Sequence, residues 1–413
     1  MLSPPDAGPR AATLADLRRV IRRIESRNPF RRHAEAPEVA LGGEVVENAD
    51  GRLLVVRREF PLDHRHGRIA LAEALAVPPQ TLGLLGRSID GPVAGDRLVF
   101  LDTETTGLAG GTGTYAFLVG VGCVEDDRFV VAQYFMRDLD EEPALLTALA
   151  PVLEGATALV TFNGGGFDVP LLETRFVLAR RRWRADVGHL DLLRPARRVW
   201  RAGLADCRLG TLEREVLGVE RDGDVPGALI PSLYFDFLRR KNPARLGPVF
   251  GHNRDDVLSL VALLGWFGRA LAGDAADLTP EQLAGLGRLL EAVDADRSAD
   301  YYRAALAAGL EGMEGLRVQL RLAGWEKRRA RWDVACALWE AATASRIFDL
   351  RPWEELAKFH EHRQRDARAA LEVVSRALDA AATLGLAGRA RGALAHRLAR
   401  LERRARARGV PAS

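Results

Sequence analysis

Residues 98–107 read LVFLDTETTG, an apolar and β-branched run that sets a strand into the interior and then places two acids near its end. Side chains two apart on a strand share a face, so Asp102 and Glu104 lie side by side. Two bare carboxylates about 4 Å apart repel by roughly 4 kcal/mol at an effective dielectric near 20. A chain that keeps them there needs positive charge between them.

The segments that follow fix the surroundings of that strand. YAFLVGVGCVED and RFVVAQYFMRD are two further strands joined at Asp126 and Asp127, which makes an antiparallel meander. DEEPALLTALAPVLEG has acids and Pro143 at a helix start. ALVTFNGGGFD is a strand running into a glycine loop, VPLLETRFVLARRR a helix, and GHLDLLRPARRVW a fifth strand and its exit. Helices around TLEREVLG and SLYFDFLRR follow, and a long helix begins near His252. The order β-β-β-α-β-α-β-α predicts an α/β domain over 96–273, a mixed five-stranded sheet flanked by helices.

A chain of 413 residues exceeds one core, so further domains are expected on either side. After residue 273 strand signals vanish. The Ala-, Leu- and Trp-rich helices of 274–413 carry a repeat of period 34, with Ala335 and Trp339 matching Ala369 and Val373. That pattern resembles a tetratricopeptide-like array of helical hairpins, with an unrelated helical bundle as the alternative. Residues 1–95 read as an arm with a helix over 13–28 and a strand over 51–61. His64 and His66, one residue apart, have no third ligand nearby and are assigned a structural or surface role. The Arg-rich end, GRARGALAHRLARLERRARARG, is a basic amphipathic tail able to touch phosphates.

Net charge is +3, so nucleic-acid affinity must come from local patches. Only Lys241, Lys327 and Lys358 are lysines among 59 basic residues, a bias of the whole chain that discounts Arg abundance as a signal. Cys123, Cys207 and Cys336 form neither a disulfide framework nor a zinc set. The start of the chain has no signal-peptide architecture, and the apolar run before Arg269 is shorter than the roughly 20 residues a bilayer requires. A cytoplasmic protein that does not enter membranes is expected.

Three acidic motifs stand in order along 96–273: Asp102-Thr-Glu104, NGGGFD (163–168) and HNRDDVLSL (252–260). His252 and Asp256 are i and i+4 on a helix and share a face, whereas Asp255 lies about 100° away and is expected to point outward. Each motif alone has an ordinary structural reading, such as a helix cap for Asp168. Together they resemble the three motifs of the DEDD superfamily of ribonuclease-H-like 3′→5′ exonucleases, over roughly residues 97–270. HLDLL (189–193), SLYFDFLR (232–239) and HNRDDVLSL are similar to the YprB-type group within it.

The resemblance implies that Asp102, Glu104, Asp168 and Asp256 ligate two divalent ions, Mg²⁺ or Mn²⁺; His252, by its chemistry near neutral pH, is a candidate to orient or deprotonate the attacking water. Such ions take oxygen donors and clamp both the attacking and the leaving oxygen of a phosphodiester. Family members have Tyr four residues or His five residues before the last Asp; here His252 stands at the tyrosine spacing. The resemblance implies that Thr105, Thr106 and Gly107 offer backbone groups to the terminal nucleotide; Asn163 and Phe167 are further substrate-contact candidates, with ordering of the glycine loop and a place in the core as their respective alternatives. Asp191 is assigned a structural role. The substrate implied is nucleic acid with a free 3′ end, DNA ahead of RNA, in a repair setting, with the helical region contacting a helicase or another protein. An RNA exonuclease, and a catalytically silent scaffold that binds nucleic acid and a partner, are the alternatives.

Overall fold

The computed structural model describes residues 35–86, 97–107, 111–183, 187–273, 277–384 and 389–407. The helix expected over 13–28 lies outside them. The chain forms two compact units. One comprises the residues up to Arg197 with Ala205–Ala276, the other Arg198–Leu204 with the residues from Asp277 onward.

The first unit is built on strands β1 (Glu44–Asn48), β2 (Gly51–Pro61), β3 (Leu98–Thr105), β4 (Ala116–Glu125), β5 (Arg128–Phe135), β6 (Ala158–Thr161) and β7 (Gly188–Asp191). Their spatial order is β1-β2-β5-β4-β3-β6-β7. β3 pairs antiparallel with β4 and parallel with β6, and β6 pairs parallel with β7. The sheet therefore has seven strands rather than five, because β1 and β2 extend the meander. β2 pairs with β5 from Leu54 opposite Phe135 to Pro61 opposite Arg128, which buries Leu53, Leu54, Val55 and Val56. The edge strand β1 carries Glu44 and Glu47 on exposed positions, which discourages pairing with another chain.

The longest helices of this unit are α1 (Glu142–Gly155), α2 (Asp168–Leu178), α3 (Ile230–Arg240) and α4 (Gly247–Ala272). Phe117, Phe135, Tyr234, Phe237 and Phe250 share one core, in which the Phe117 and Tyr234 rings stack at 3.9 Å. The buried Tyr234 hydroxyl donates to the Met136 carbonyl at 3.1 Å.

α4 packs on β3, β4 and β5, and also on the two-residue strands Arg65–His66 and Ile69–Ala70 and the short helix Leu71–Leu75. Burial on two sides explains why its sequence is apolar nearly all round. Gly265 and Gly268 permit the second contact. A Cβ at Gly268 would fall 2.5 Å from Val77 Cγ2. No helix among the described residues is long and apolar enough to cross a membrane.

The second unit is all-helical, with helices Pro280–Leu290, Ala295–Ala307, Gly312–Arg328, Trp332–Thr343, Leu350–Lys358, Ala367–Thr383 and Arg389–Ala407. Most of them pack chiefly against their neighbours in the chain. Ala335, Trp339 and Val373, three of the positions matched by the 34-residue period, share a core in which Ala370 takes the place expected of Ala369.

Candidate active site

Asp102 and Glu104 lie in the C-terminal half of β3, Asp168 opens α2, and His252 and Asp256 lie in the first half of α4. Asp168 is buried and accepts a hydrogen bond from Thr103 Oγ1 at 2.5 Å. Burial, then the charges of Asp256, Glu104 and Asp168, raises the Asp102 carboxyl well above the ordinary range. Burial and the charges of Asp256, Asp168 and Asp224 do the same to Glu104, opposed by Arg221. Burial pushes Asp168 up to about 6 against the Thr103 hydrogen bond. The acids of the three motifs thus form one electrostatic cluster.

Asn253, which the sequence reading passed over, holds Asp102 in place. It is fully buried, and its Nδ2 donates to Asp102 Oδ2 at 2.8 Å and to the Asp102 carbonyl at 3.2 Å. Its Oδ1 accepts from Gln133 Nε2 at 2.9 Å. One signal was present: Asn253, Val257 and Leu260 fall on a helical apolar stripe, where a lone amide needs buried partners. Gly120 on β4 makes room, since a Cβ there would lie 2.3 Å from Asn253 Oδ1. Gly120→Ala should therefore cost about 1–3 kcal/mol in urea unfolding, as an overpacked core does. An unchanged midpoint would show that Asn253 can shift freely.

A second network leads away from Asp256. Arg221 Nη2 donates to both Asp256 Oδ1 and Glu213 Oε1, and its Nη1 lies 3.6 Å from Asp224 Oδ2. His252 Nδ1 is 2.7 Å from Asp224 Oδ1, and its Nε2 is 3.6 Å from Asp256 Oδ2. Assigned from these partners, His252 donates from Nδ1 to Asp224 and leaves Nε2 free to accept a proton. Asp255 pairs with its neighbour Arg254 at 2.7 Å. Arg221, Glu213 and Asp224 were not singled out from sequence. Glu213 lies in the helical TLEREVLG segment, where an acid carries no functional signal of its own, and Arg221 and Asp224 fall in the turns beyond it.

Glu213 also accepts from Ser259 Oγ at 2.5 Å, and Ser259 in turn lies 2.8 Å from His66 Nε2. His66 is buried, and burial, reinforced by Arg221 and opposed by Asp255, pulls its pKa down to about 4. The unfolded chain, with an ordinary histidine near 6.5, binds that proton more readily. Stability should thus fall as pH drops from about 6.5 to about 4, by up to about 3 kcal/mol from this group. His66→Gln should flatten that part of the stability-versus-pH curve in urea titrations. A variant curve parallel to wild type would contradict the assignment.

The glycine loop is fastened by Asp191, whose Oδ1 accepts from the Asn163 and Leu193 amides at 2.8 and 3.2 Å and whose Oδ2 accepts from the Gly165 amide at 3.3 Å. Asn163 is exposed and takes a left-handed conformation with φ 66°. Phe167 is half-buried just ahead of Asp168. Thr105 Oγ1 donates to the Gly107 carbonyl at 2.8 Å, and Thr106 Oγ1 accepts from the Tyr115 amide at 2.9 Å. Both hydroxyls are thereby engaged within the turn that follows β3.

The all-oxygen set Asp102, Glu104, Asp168 and Asp256 suits a hard divalent cation by donor type. Among the described residues, however, no three or more His, Cys, Asp or Glu are grouped closely enough to hold an ion. The Asp256 carboxylate is paired with Arg221 instead.

A family model described as RNase_H superfamily matches residues 99–268. Over 349 residues the chain is 34% identical to "Uncharacterized protein YprB" of Bacillus subtilis (strain 168), covering 81% of this chain and 82% of the relative. The matched range contains β3 to β7, the glycine loop and α4 up to Gly268, so the acid cluster lies within it. The chain belongs to the YprB family and carries a nuclease-type domain of the RNase H superfamily.

Proposed function

We propose that the protein is a metal-dependent 3′→5′ exonuclease of nucleic acid, acting on DNA ahead of RNA in a repair setting. The observation that carries this reading is the convergence of Asp102, Glu104, Asp168 and Asp256, each in its motif, into one cluster of mutually repelling carboxylates. Two divalent cations, Mg²⁺ or Mn²⁺, held by these four would neutralise them and supply water activation and charge stabilisation at the scissile phosphate.

The chain's own residues have separable tasks. Asn253 fixes the Asp102 carboxylate. Asp224 holds the His252 ring so that Nε2 accepts the proton of the attacking water, as an oriented imidazole does in general-base catalysis. Thr105, Thr106, Gly107, Asn163 and Phe167 form the walls against which the terminal nucleotide rests. Arg221 must release Asp256 before that carboxylate can act as a ligand. The successive packing of helices in the second unit supports a tetratricopeptide-like scaffold that contacts a helicase or another protein.

The test uses 5′-labelled single-stranded DNA, its duplex and a matched RNA, incubated with the protein in Mn²⁺, Mg²⁺ or EDTA. A metal-dependent ladder shortening from the 3′ end, faster on DNA, is the expected result. The pairing of Asp256 with Arg221 favours one second reading, a silent domain that binds strands without cutting them. Strand binding with no cleavage of any substrate in either metal would select it.

A further inference from the structure

The helical unit contains a cavity of about 350 Å³ between the helices Ala295–Ala307 and Gly312–Arg328, with Glu291 at its rim. Its walls include Tyr302, Arg321, Trp325 and Arg328. Arg321, Trp325 and Arg328 are spaced i, i+4 and i+7 on the second of these helices, so they form one stripe about 10 Å long. Gly324 in the same wall leaves space beside Arg328, whose Nη1 would stand 3.7 Å from an added Cβ.

The cations here outnumber the acids available to them. The guanidinium carbons of Arg303, Arg329 and Arg331 stand 5.0, 4.6 and 4.6 Å from the Trp325 ring centroid. Glu326 is buried and taken by Arg303 and Arg331, Arg303 also pairs with Asp300 at 2.7 Å, and Asp296 is taken by Arg329. Glu291 accepts from Tyr302 at 2.5 Å and lies 3.1 Å from Arg321. Arg328 has no ion-pair partner among the described residues. The imbalance extends to the sequence of the unit. Residues 277–413 hold 24 Lys and Arg against 19 Asp and Glu, while the rest of the chain holds 35 against 37. The whole positive surplus thus sits in the helical region.

We infer that this groove is a binding site for the phosphodiester backbone of a single nucleic-acid strand, separate from the acid cluster of the first unit. Arg328 and Arg321 contact phosphates about three stacked nucleotides apart, since stacked phosphates advance about 3.4 Å each. Trp325, packed among guanidiniums, stiffens the cationic wall instead of stacking on bases, so recognition is independent of sequence. A site of this kind keeps a strand on the protein between successive cleavage events.

Binding is read by fluorescence anisotropy of 5′-fluorescein dT20 and rU20 on the full chain, in EDTA, over a series of KCl concentrations. EDTA separates this readout from hydrolysis, so failure of the nuclease reading leaves it intact. Arg321→Ala/Arg328→Ala should raise Kd about tenfold and reduce the slope of log Kd against log salt by about 1.4, or about 0.7 per lost single-strand phosphate contact. Arg328→Ala alone disturbs no internal ion pair and should give about half that change in slope. Arg346→Ala/Arg368→Ala, an equal charge change on exposed positions of the same unit, should leave Kd within twofold. Equal loss in both double variants, or no loss in the first, overturns the proposal. Binding of dT20 with no binding of rU20 also overturns it, because backbone phosphates are common to both.

Discussion

Asp102→Asn should abolish metal-dependent shortening of 3′ ends, lowering its rate by about 10³-fold or more, while making the metal-free protein more stable at neutral pH. The two effects have one source. A carboxylate whose pKa is raised by burial and by Asp256, Glu104 and Asp168 opposes folding whenever it is ionised. Asparagine keeps the shape and still offers an oxygen to Asn253 Nδ2, yet it supplies no charge for a cation. For a raised carboxyl, the folded state binds the proton more tightly than the unfolded state. The favourable contribution is therefore present below the unfolded pKa near 3.8 and is lost as pH rises through the folded value. For Asp168 that window runs from 3.8 to about 6 and is on the order of 3 kcal/mol. His66 acts in the opposite direction over an overlapping range, so the quantity to follow is the difference between variant and wild type. In urea titrations the stability gain of Asp102→Asn should grow with pH and vanish in acid. Adding Mn²⁺ at pH 7 should stabilise wild type and leave the variant nearly unmoved. A variant that is less stable at pH 7, or that still trims 3′ ends, would dissociate Asp102 from the cluster.

Arg221→Met carries the second large effect. Removing one member of a buried ion network leaves the others uncompensated, at a cost of about 3–5 kcal/mol. Here Glu213 is buried and Asp256 nearly so, and both depend on the same Nη2. Burial alone would lower the affinity of Arg221 for its proton, yet Asp256 and Glu213 raise it above the ordinary value. The double variant Arg221→Met/Glu213→Gln should recover a sizeable part of the loss, because the orphaned Glu213 charge is gone and Gln still accepts from Ser259. Chemical denaturation of the two single variants and the double variant closes the cycle. Additive losses would mean that Arg221 and Glu213 do not act as a unit. Arg221→Met should also strengthen the stabilisation by Mn²⁺, since the competing cation at Asp256 has been removed. Unchanged stabilisation would place Arg221 outside that competition.

The readable parts of the sequence were those with a local period or a local motif. β3 to β7 follow from apolar, β-branched runs bounded by turn residues, α4 from its long apolar stretch, and the glycine loop from its own composition. Asp102, Glu104 and Asp168 were legible because three short motifs recur in a fixed order. The pairing of β2 with β5 was not legible, since a strand at 51–61 carries nothing that names a partner some seventy residues later. Nor was the Arg221 network. Arg221 and Asp224 lie in turns and Glu213 in the short helical stretch before them, and all three acquire meaning only when α4 brings Asp256 and Ser259 beside them. Asn253 lay between the extremes, inside a quoted motif but overshadowed by the acids around it.

The place of β2 limits how this protein can be divided. A fragment beginning at residue 97 would retain every residue of the three acidic motifs and would look complete by its signature. It would also expose the edge of β5 over eight residues, about half of which would lose their backbone hydrogen-bond partners, an adhesive edge for other chains. With the same cut it would lose His66, and with it the far end of the hydrogen-bonded chain through Ser259 and Glu213 that steadies Arg221. The three acidic motifs are therefore not an autonomous module. Transplanted alone, they would be expected to aggregate before they could be assayed.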